Sequence, residues 1–259
     1  MVSQTAVVVT GGASGLGAAV AREFHEAGHH VHVFDIASSA SDLDVPHTYH
    51  QVDVCDDDNV RAAFDAISAT DQRLVGIVHC AGIAAFGPKN PGRLIDTASI
   101  EVEQNFDTVQ RVISTNLIGT FSVVRHGAAL IAKAGLQPDD ENGFIILTSS
   151  GAALEGKAGQ SAYSASKAAI IGMTLPLARE FSELGIRVVT IAPGLFDTPI
   201  LADTPKIERH VPFPQRVGDP AEFAKLARHI SENQYINADV IRIDGGTRGE
   251  FRSRSPFVR

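Results

Sequence analysis

The sequence predicts one α/β domain, built on a doubly wound, seven-stranded parallel sheet with helices on both faces. Three observations support this prediction. Short apolar runs alternate with longer segments of helical periodicity along the chain. A glycine-rich turn joins the first apolar run to the segment that follows it. The 259 residues are 44% hydrophobic and no Pro/Ser-rich linker divides them, so we expect a single domain over residues 1–259.

The predicted elements follow one another as strand and helix in turn. The apolar runs that we predict as strands are 6–9, 31–34, 48–52, 75–79, 143–149, 187–192 and 240–243. After the glycine-rich turn and its helix, the predicted helices are 56–67, 116–133, 161–183 and 220–231, with an irregular region at 87–99. Consecutive parallel strands need a crossover, usually a helix, so this alternation favours a parallel sheet.

The glycine-rich turn from Thr10 to Gly17 stands between the first predicted strand and the first helix. Its spacing, G-x-x-x-G-x-G, differs from the common dinucleotide fingerprint. Gly11 allows a sharp turn, Gly15 allows backbone to approach a pyrophosphate, and Gly17 allows the helix to pack against the sheet. Because the N–H groups of a helix N-terminus bind anions, the turn predicts a dinucleotide cofactor.

Asp35 ends the second predicted strand, about eighteen residues past the turn. A carboxylate at this position accepts hydrogen bonds from the hydroxyls of the adenosine ribose and repels a 2′-phosphate. We therefore expect NAD rather than NADP as the cofactor.

Tyr163 and Lys167 lie four positions apart in a segment of helical composition, and Ser150 precedes them. Positions four apart share a helix face, so the Lys167 ammonium can approach the Tyr163 phenol. An adjacent cation favours the phenolate, so we expect a lowered pKa that makes Tyr163 a general base. A Y-x-x-x-K pair alone is common on amphipathic helices. It indicates catalysis in this chain because the glycine-rich turn predicts a cofactor site as well.

A parallel sheet brings these distant residues together, because ligands of open α/β sheets bind at the carboxyl ends of the strands. The predicted strand ends carry Gly11, Asp35, Asp53, Cys80, Ser150 and Pro193. Asp53 and Val54 are placed to meet the adenine, and Cys80-Ala81-Gly82 offers small side chains that permit close approach of the cofactor. Cys80 is equally well interpreted as a small core residue.

Together these motifs resemble those of the classical short-chain dehydrogenase/reductases, a family with a Rossmann-type fold. The matching motifs span the chain and are Thr10–Gly17, Asp53-Val54, Ala81-Gly82, Asn116, Ser150, Tyr163-x-x-x-Lys167 and Pro193-Gly194. Within the family, segments 163–176, 192–196, 211–214 and 218–222 resemble the type II 3-hydroxyacyl-CoA dehydrogenases. Cys80, where many members have Asn, also fits this subgroup.

The resemblance implies a role for each motif residue. Ser150 would donate to the substrate oxygen, Tyr163 would take the hydroxyl proton, and Lys167 would bind the nicotinamide ribose. Asn116 would hold a water behind Lys167, although an Asn within a helix is by itself more often structural. Further implied cofactor contacts are Ser14, Leu16, Asp35, Asp53, Val54, Cys80, Phe196 and Thr198, beside Gly11, Gly15, Gly17, Ala81, Gly82, Pro193 and Gly194.

The implied reaction is the NAD-dependent interconversion of a secondary alcohol and a ketone, with a 3-hydroxyacyl-CoA and its 3-ketoacyl-CoA as the first candidate pair. Steroid, aryl or cyclic ketones fit the same chemistry, and an NAD-sensing or scaffold subunit is the non-enzyme alternative. We expect a substrate loop at 195–215 and an apolar wall from Leu154, Gln160, Leu195, Ile200, Leu201 and Phe213. Among Lys89, Arg93 and Lys157, we favour Lys157 as the partner for CoA phosphates. The alternative is that Lys157 is a solvated surface lysine.

Composition argues against several other functions. The net charge of −8 and the pI near 5.6 oppose binding to nucleic acid or an anionic membrane. We interpret the Arg-containing tail 248–259 as a solvated surface or interface segment, with an anion-binding arm as the alternative. No transmembrane or signal segment is apparent, so we expect a cytoplasmic protein, and the family resemblance implies a homotetramer. Cys55 and Cys80 are expected as reduced thiols, and His29, His30 and His32 lack partners for a metal site.

Overall fold

The computed structural model describes residues 4–40, 43–84, 92–133, 135, 141–201 and 211–248. Its strands are β1 (Thr5–Thr10), β2 (His30–Asp35), β3 (Thr48–Gln51), β4 (Arg73–His79), β5 (Gly143–Thr148), β6 (Ile186–Pro193) and β7 (Val240–Ile243). They form one sheet in the order β3-β2-β1-β4-β5-β6-β7, and every pair is parallel. The predicted doubly wound α/β fold is therefore confirmed.

Six α-helices accompany the strands in the described part of the chain. They are α1 (Gly15–Glu26), α2 (Asp57–Ser68), α3 (Phe106–Ile113), α4 (Gly119–Ala132), α5 (Ser161–Ser182) and α6 (Pro220–Glu232). Short 3₁₀ turns occur at Gly151–Ala153 and Pro199–Leu201, and a π-helical turn at Ser114–Ile118. Among these described residues, no helix has the length and hydrophobicity to cross a membrane.

Helices cover both faces of the sheet. On one face α1 packs against α6, and Phe24, Phe144 and Phe223 belong to the same apolar cluster. On the other face α2, α4 and α5 contribute to a second cluster, which includes Phe64 and Ile131. Every residue of β5 is buried, because a strand in the middle of such a sheet is covered on both sides. This explains why the strands appear in the sequence as continuous apolar runs.

The order of the strands also fixes where a ligand can bind. β1 lies between β2 and β4, so the chain reverses its direction of strand addition at this point. A crevice forms at such a switch point, outside the carboxyl ends of the strands. The glycine-rich turn leaves β1 here and Cys80 leaves β4 here, as the sequence predicted.

One predicted helix begins in the wrong place. We expected a helix over 116–133, whereas α3 already starts at Phe106 and the π-helical turn joins it to α4. Asn105 caps α3 by accepting a hydrogen bond from Asp107 N at 2.8 Å, a local start signal that the sequence analysis overlooked. Asn116 consequently lies within the π-helical turn, a type of irregularity that often occurs at functional sites.

The irregular region predicted at 87–99 is described only from Gly92 onward. There the chain turns back on itself, and Ile95 pairs with Val102 in a short antiparallel bridge. Gly92 is buried against Gly159, because a Cβ at Gly92 would lie 1.8 Å from the Gly159 carbonyl oxygen. The turned segment thus rests on the loop between β5 and α5.

Candidate functional site

The glycine-rich turn brings β1, β4 and α1 into close contact. Gly11 has a φ of +64°, and a Cβ there would lie 2.9 Å from the backbone nitrogen of Ala81. A Cβ at Gly17 would lie 2.1 Å from the Gly11 carbonyl oxygen. Any larger residue would push the strand end and the helix apart, so only glycine fits at these two positions.

The first turn of α1 has the features that an anion site requires. Ser14 is its N-cap, but no side chain caps the helix and no acidic residue lies in the first turn, which also contains Leu16. Thr198 approaches from the other side, 3.4 Å from where a Cβ of Gly15 would lie. The helix N-terminus and the backbone at Gly15 therefore fit the pyrophosphate of a dinucleotide.

Asp35 ends β2 beside this turn and already has two partners in the protein. Its Oδ2 accepts a hydrogen bond from Ala13 N at 3.0 Å, and its Oδ1 accepts one from Ala37 N at 3.1 Å. Each carboxylate oxygen can accept more than one hydrogen bond, so capacity remains for ribose hydroxyls. Asp35 thus also fastens the glycine-rich turn to β2, a function that sequence analysis did not foresee.

Asp53 and Val54, which we predicted to contact the adenine, follow β3. Asp53 Oδ1 accepts from Cys55 N at 2.9 Å, which shapes the turn into α2. Val54 is buried against the start of α4, because a Cβ at Gly119 would lie 2.7 Å from its Cγ2 atom. The side chain of Val54 therefore packs mainly against protein.

The residues that follow β4 lie close to the catalytic candidates. A Cβ at Gly82 would lie 3.1 Å from both Asn116 Oδ1 and Lys167 Nζ, so glycine leaves space between these two groups. Cys80 is partly buried and packs against the apolar cluster that contains Phe144, and its sulfur accepts from Thr148 Oγ1 at 3.7 Å. Burial raises the pKa of the Cys80 thiol to about 11, which keeps it protonated and supports its interpretation as a core residue.

Asn116 is buried and bonded on every side. Its Oδ1 accepts from Ile83 N at 2.8 Å, and its Nδ2 donates to Ile83 O at 2.9 Å and to Ser166 Oγ at 3.0 Å. Its main-chain oxygen accepts from Thr120 Oγ1 at 2.7 Å. The side chain therefore ties the segment after β4 to α5, and both protons of its Nδ2 have protein partners.

His79, at the end of β4, is a buried polar residue that sequence analysis missed. Thr120 Oγ1 donates to Asn116 O, so it accepts from His79 Nε2 at 3.0 Å. Thr10 Oγ1 accepts from Ala81 N and donates to His79 Nδ1 at 2.8 Å. Burial lowers the pKa of His79 to about 3, which agrees with a neutral ring. The signal in the sequence that could have identified His79 is a titratable residue within an apolar predicted strand.

Ser150, Tyr163 and Lys167 come together at the carboxyl end of β5. Ser150 caps the 3₁₀ turn by accepting from Ala152 N at 3.1 Å, and it is hydrogen-bonded to the Tyr163 phenol. Lys167 Nζ lies 6.0 Å from the centre of the Tyr163 ring and donates to Thr148 O at 2.9 Å. The predicted hydroxyl, phenol and amine thus form one cluster, although the 3₁₀ turn and the loop after it separate Ser150 from α5 in the sequence.

The expected lowering of the Tyr163 pKa is wrong for this arrangement. Burial raises the pKa of the phenol above its usual value, and the hydrogen bond with Ser150 offsets only part of that effect. Burial also lowers the pKa of Lys167 to about 8. The ammonium is directed at the Thr148 carbonyl rather than at the phenol oxygen, so proximity along the helix is insufficient for strong coupling.

On the other side of the cluster, Pro193 ends β6 and Gly194 follows it. A Cβ at Gly194 would lie 2.7 Å from the Cβ of Asp244, so the turn lies tightly against the end of β7. Phe196, predicted to contact the cofactor, is buried with its ring centre 6.2 Å from that of Phe223. Its side chain therefore belongs to the core, and only its main chain is available for a cofactor.

The predicted substrate residues lie in the segments that border the cluster. Leu154 and Ile200 are about half exposed, Phe213 is 83% exposed, and Leu195 is partly buried. Gln160 Oε1 accepts from the backbone nitrogen of Lys157 at 3.1 Å, while the Lys157 side chain is exposed. The structure describes the predicted substrate loop at 195–201, ending with Leu201, and again from 211 onward. Three parts of the sequence-based predictions lie outside the described residues: 202–210, Lys89 and the tail beyond 248.

The histidines of β2 and β3 form a hydrogen-bonded group. The rings of His30 and His32 lie 4.9 Å apart on one face, as alternation predicts. His32 is buried and bonds His50 at 3.0 Å and Gln72 at 2.7 Å. No group of three or more potential metal ligands occurs in the described ranges, and the two cysteines there are unpaired.

Comparison with known proteins agrees with this geometry. Residues 5–208 match the model of a family described as short chain dehydrogenase. The chain is 42% identical to 3-hydroxyacyl-CoA dehydrogenase type-2 of Drosophila melanogaster, over 96% of this chain and 99% of that protein. The human protein of the same name is 40% identical, over 93% and 94%. A crystal structure of 3-hydroxyacyl-CoA dehydrogenase type-2 from Mycobacterium avium superposes with a TM-score of 0.85 at 35% identity, covering 96% of this chain and 97% of that one. The chain therefore belongs to the short chain dehydrogenase family.

Proposed function

We propose that the protein is an NAD-dependent dehydrogenase that interconverts a 3-hydroxyacyl-CoA and the corresponding 3-ketoacyl-CoA. The cluster of Ser150, Tyr163 and Lys167 beside the glycine-rich turn carries this proposal, because it places proton-transfer groups next to a dinucleotide site. Relatives named 3-hydroxyacyl-CoA dehydrogenase type-2, which match almost the whole chain, support the choice of substrate.

The protonation of Tyr163 suits the reduction of a ketone. With its pKa raised, the phenol is protonated at neutral pH and can donate to the ketone oxygen. The Ser150 hydroxyl, bonded to the phenol, orients that oxygen. Bound nicotinamide supplies the hydride in this direction and accepts it in the other. For alcohol oxidation the phenol must first lose its proton, so Tyr163 acts as the base only after deprotonation.

Lys167 and Asn116 serve the same step from behind the phenol. We assign Lys167 Nζ to the nicotinamide ribose, where an ammonium donates hydrogen bonds. Asn116 holds a water through an oxygen, because both protons of its Nδ2 already have partners. Oδ1 lies near Lys167 across the space that Gly82 leaves, which gives the proton a route away from Tyr163.

The choice of NAD over NADP rests on Asp35. Its carboxylate is held by Ala13 N and Ala37 N beside the α1 N-terminus, and its charge opposes a 2′-phosphate. Ile36, the next residue, is 67% exposed and offers no positive charge to such a phosphate. These two residues together favour the ribose with free hydroxyls.

Two cations support a CoA thioester as the substrate. Arg93 and Lys157 are exposed and lie close in sequence to the two glycines in contact, Gly92 and Gly159, with Arg93 N 3.6 Å from where a Cβ of Gly159 would lie. Lysine and arginine at this position can bind phosphates, while Leu154 provides apolar surface for an acyl chain.

The reaction is tested by following NADH oxidation with acetoacetyl-CoA and, separately, with a β-keto ester of similar chain length. We expect rapid turnover of the thioester and weak turnover of the ester. Lys157→Gln and Arg93→Gln should raise the KM for the thioester and leave the KM for the ester unchanged. Turnover of the ester alone would discard CoA and indicate a free ketone as the substrate. NADH binding without turnover of any ketone would instead favour a sensor.

A homotetramer in the cytoplasm completes the proposal. The outer faces of the π-helical turn, α4 and α5 expose apolar side chains, with Ile118 54%, Phe121 48% and Leu175 43% exposed. Burying such a surface against a second copy is favourable, since exposed apolar patches commonly mark interfaces. Light scattering on the purified protein distinguishes a tetramer from a dimer or a monomer, and Phe121→Arg should reduce the assembled fraction.

A further inference from the structure

We propose that Arg242 and Glu155 are a positioning pair, which holds the loop carrying Ser150 against the end of β7. This inference rests on the proposed function, since it concerns the placement of the proton-transfer groups. Neither residue is among the catalytic or cofactor-binding candidates. Their ion pair connects two elements that are far apart in sequence and border the same cleft.

Arg242 is surrounded by acceptors. Its Nη1 donates to Glu155 Oε1 at 2.7 Å, its Nε donates to Asp244 Oδ2 at 2.7 Å, and its Nη2 donates to Thr247 O at 3.2 Å. The side chains of Arg242 and Asp244 are only 16% and 6% exposed. A guanidinium held by several acceptors in this way is a rigid point of attachment, unlike an exposed ion pair.

The end of β7, which Arg242 stabilises, supports two other borders of the cleft. Gly194 N donates to Ile243 O at 2.9 Å, and a Cβ at Gly194 would meet Asp244, so the turn after β6 rests on it. Phe213 N donates to Gly245 O at 3.3 Å, which attaches the C-terminal end of the predicted substrate loop. The end of β7 is thus a common base for these segments.

Glu155 is linked to Ser150 by short hydrogen bonds within one turn. Glu155 N donates to Gly151 O at 3.0 Å, and Ala153 N donates to Ser150 O at 3.0 Å. Ala152 N donates to Ser150 Oγ in the same turn. A displacement of Glu155 therefore moves Ser150, while the Arg242 contact fixes Glu155 relative to the turn at Gly194.

The physical consequence is a defined distance between the substrate oxygen and the nicotinamide side of the cleft. A misplacement of about 1 Å at a reacting group can cost about 10²-fold in rate. The glycine-rich turn and Asp35, which we assign to the pyrophosphate and the adenosine ribose, lie at β1 and β2, away from β7, so the binding of that part of the cofactor should be insensitive to the pair. A positioning role thus predicts a large loss of kcat with little change in NADH binding.

The test compares wild type with Glu155→Gln, Arg242→Lys and the double variant, using Arg61→Gln as the control. Arg61 pairs with Asp58 on the exposed surface of α2, away from the cleft. We measure kcat and KM with acetoacetyl-CoA, the Kd of NADH by fluorescence, Tm, and the isotope effect with 4-deuterated NADH. Each single variant should lower kcat by about tenfold or more, change the NADH Kd by less than about twofold, and increase the isotope effect. The double variant should lose little more than the single variants, because both remove one contact.

The outcomes separate this inference from the proposed function. If wild type reduces neither the thioester nor any other ketone, the proposed function fails. If wild type is active and both single variants match Arg61→Gln in kcat and isotope effect, the positioning role fails. A parallel loss of kcat, NADH binding and Tm in both variants would overturn it as well, since that pattern describes general destabilisation. Where Glu155→Gln does not fold, Arg242→Lys, which keeps the charge beside Asp244, provides the deciding measurement.

Discussion

The Lys167 ammonium lies 6.0 Å from the centre of the Tyr163 ring and donates to the Thr148 carbonyl oxygen at 2.9 Å. The two residues share a helix face, yet the lysine is held by the end of β5 rather than by the phenol. Burial therefore keeps Tyr163 protonated in the protein alone. Under the proposed function, Lys167 acts on the reaction through the nicotinamide ribose.

Replacing Tyr163 by Phe removes the transferable proton and the hydrogen bond to Ser150, and it keeps the ring. We expect kcat to fall by about 10² to 10⁴-fold, because general acid–base catalysis contributes about that much. NADH fluorescence titration should give an unchanged Kd. Retention of more than about a tenth of the wild-type rate would contradict the role of Tyr163. Ser164→Ala, one residue further along α5, is the matched control.

Lys167 should give the activity an alkaline limit. Burial lowers its pKa to about 8, so the ammonium is present below that pH and is lost above it. We expect kcat/KM for ketone reduction to decline as pH rises through about 8 in a rate profile of the free enzyme. In Lys167→Arg the cation persists to higher pH, so its smaller remaining activity should lack this limit. An identical limit in the variant would assign it to another group.

Asp35 should control the choice between NAD and NADP. Asp35→Asn removes the charge but retains an oxygen that can accept from Ala13 N, whereas Asp35→Ala also frees the glycine-rich turn. We expect Asp35→Asn to lower the ratio of kcat/KM with NADH to kcat/KM with NADPH by about tenfold, which corresponds to a loss of about 1.4 kcal/mol in the free energy that discriminates the two cofactors. Asp44→Asn, at an exposed ion pair with Arg22, is the charge-matched control. An unchanged ratio would show that another group discriminates the ribose.

Gly92 and Gly172 should respond oppositely to alanine. A Cβ at Gly92 would lie 1.8 Å from the Gly159 carbonyl oxygen, so Gly92→Ala must displace the loop before α5 and should cost about 1–3 kcal/mol of unfolding free energy. A Cβ at Gly172, inside α5, meets nothing within 4 Å, so Gly172→Ala should stabilise by about 0.5–1 kcal/mol. Urea denaturation measures both. Equal stability of the two variants would refute the contact at Gly92.

His32 should make the protein sensitive to mild acid. Burial lowers its pKa to about 4 in the folded state, while neighbouring His30 and His50 also have lowered pKa values. Between the unfolded value of 6.5 and about 4, the unfolded chain binds more protons, so stability falls as pH decreases through that interval. Urea midpoints at several pH values should show this decline, and His32→Gln should reduce its slope. His229→Gln, on α6 and outside the group, should retain the wild-type slope.

The sequence by itself determined the order of the seven strands, the helices that follow them except α3, and the positions of the main motifs. Apolar runs such as β5 are buried on both faces of a parallel sheet, so their pattern specifies the fold class. Gly11 and Gly17 were identifiable from their spacing directly after the first apolar run. Local signals of this kind need no knowledge of distant partners.

Only the tertiary structure decided which groups act on one another. The direction of the Lys167 ammonium, the burial of the Phe196 ring and the hydrogen bonds of His79 depend on elements that are distant in sequence. The same holds for the contact of Arg242 with Glu155. β7 and the loop after β5 come close only in the assembled sheet, where β6 lies between β5 and β7. Hydrogen bonding and desolvation act over a few ångströms in space, and spacing along the chain does not report those distances.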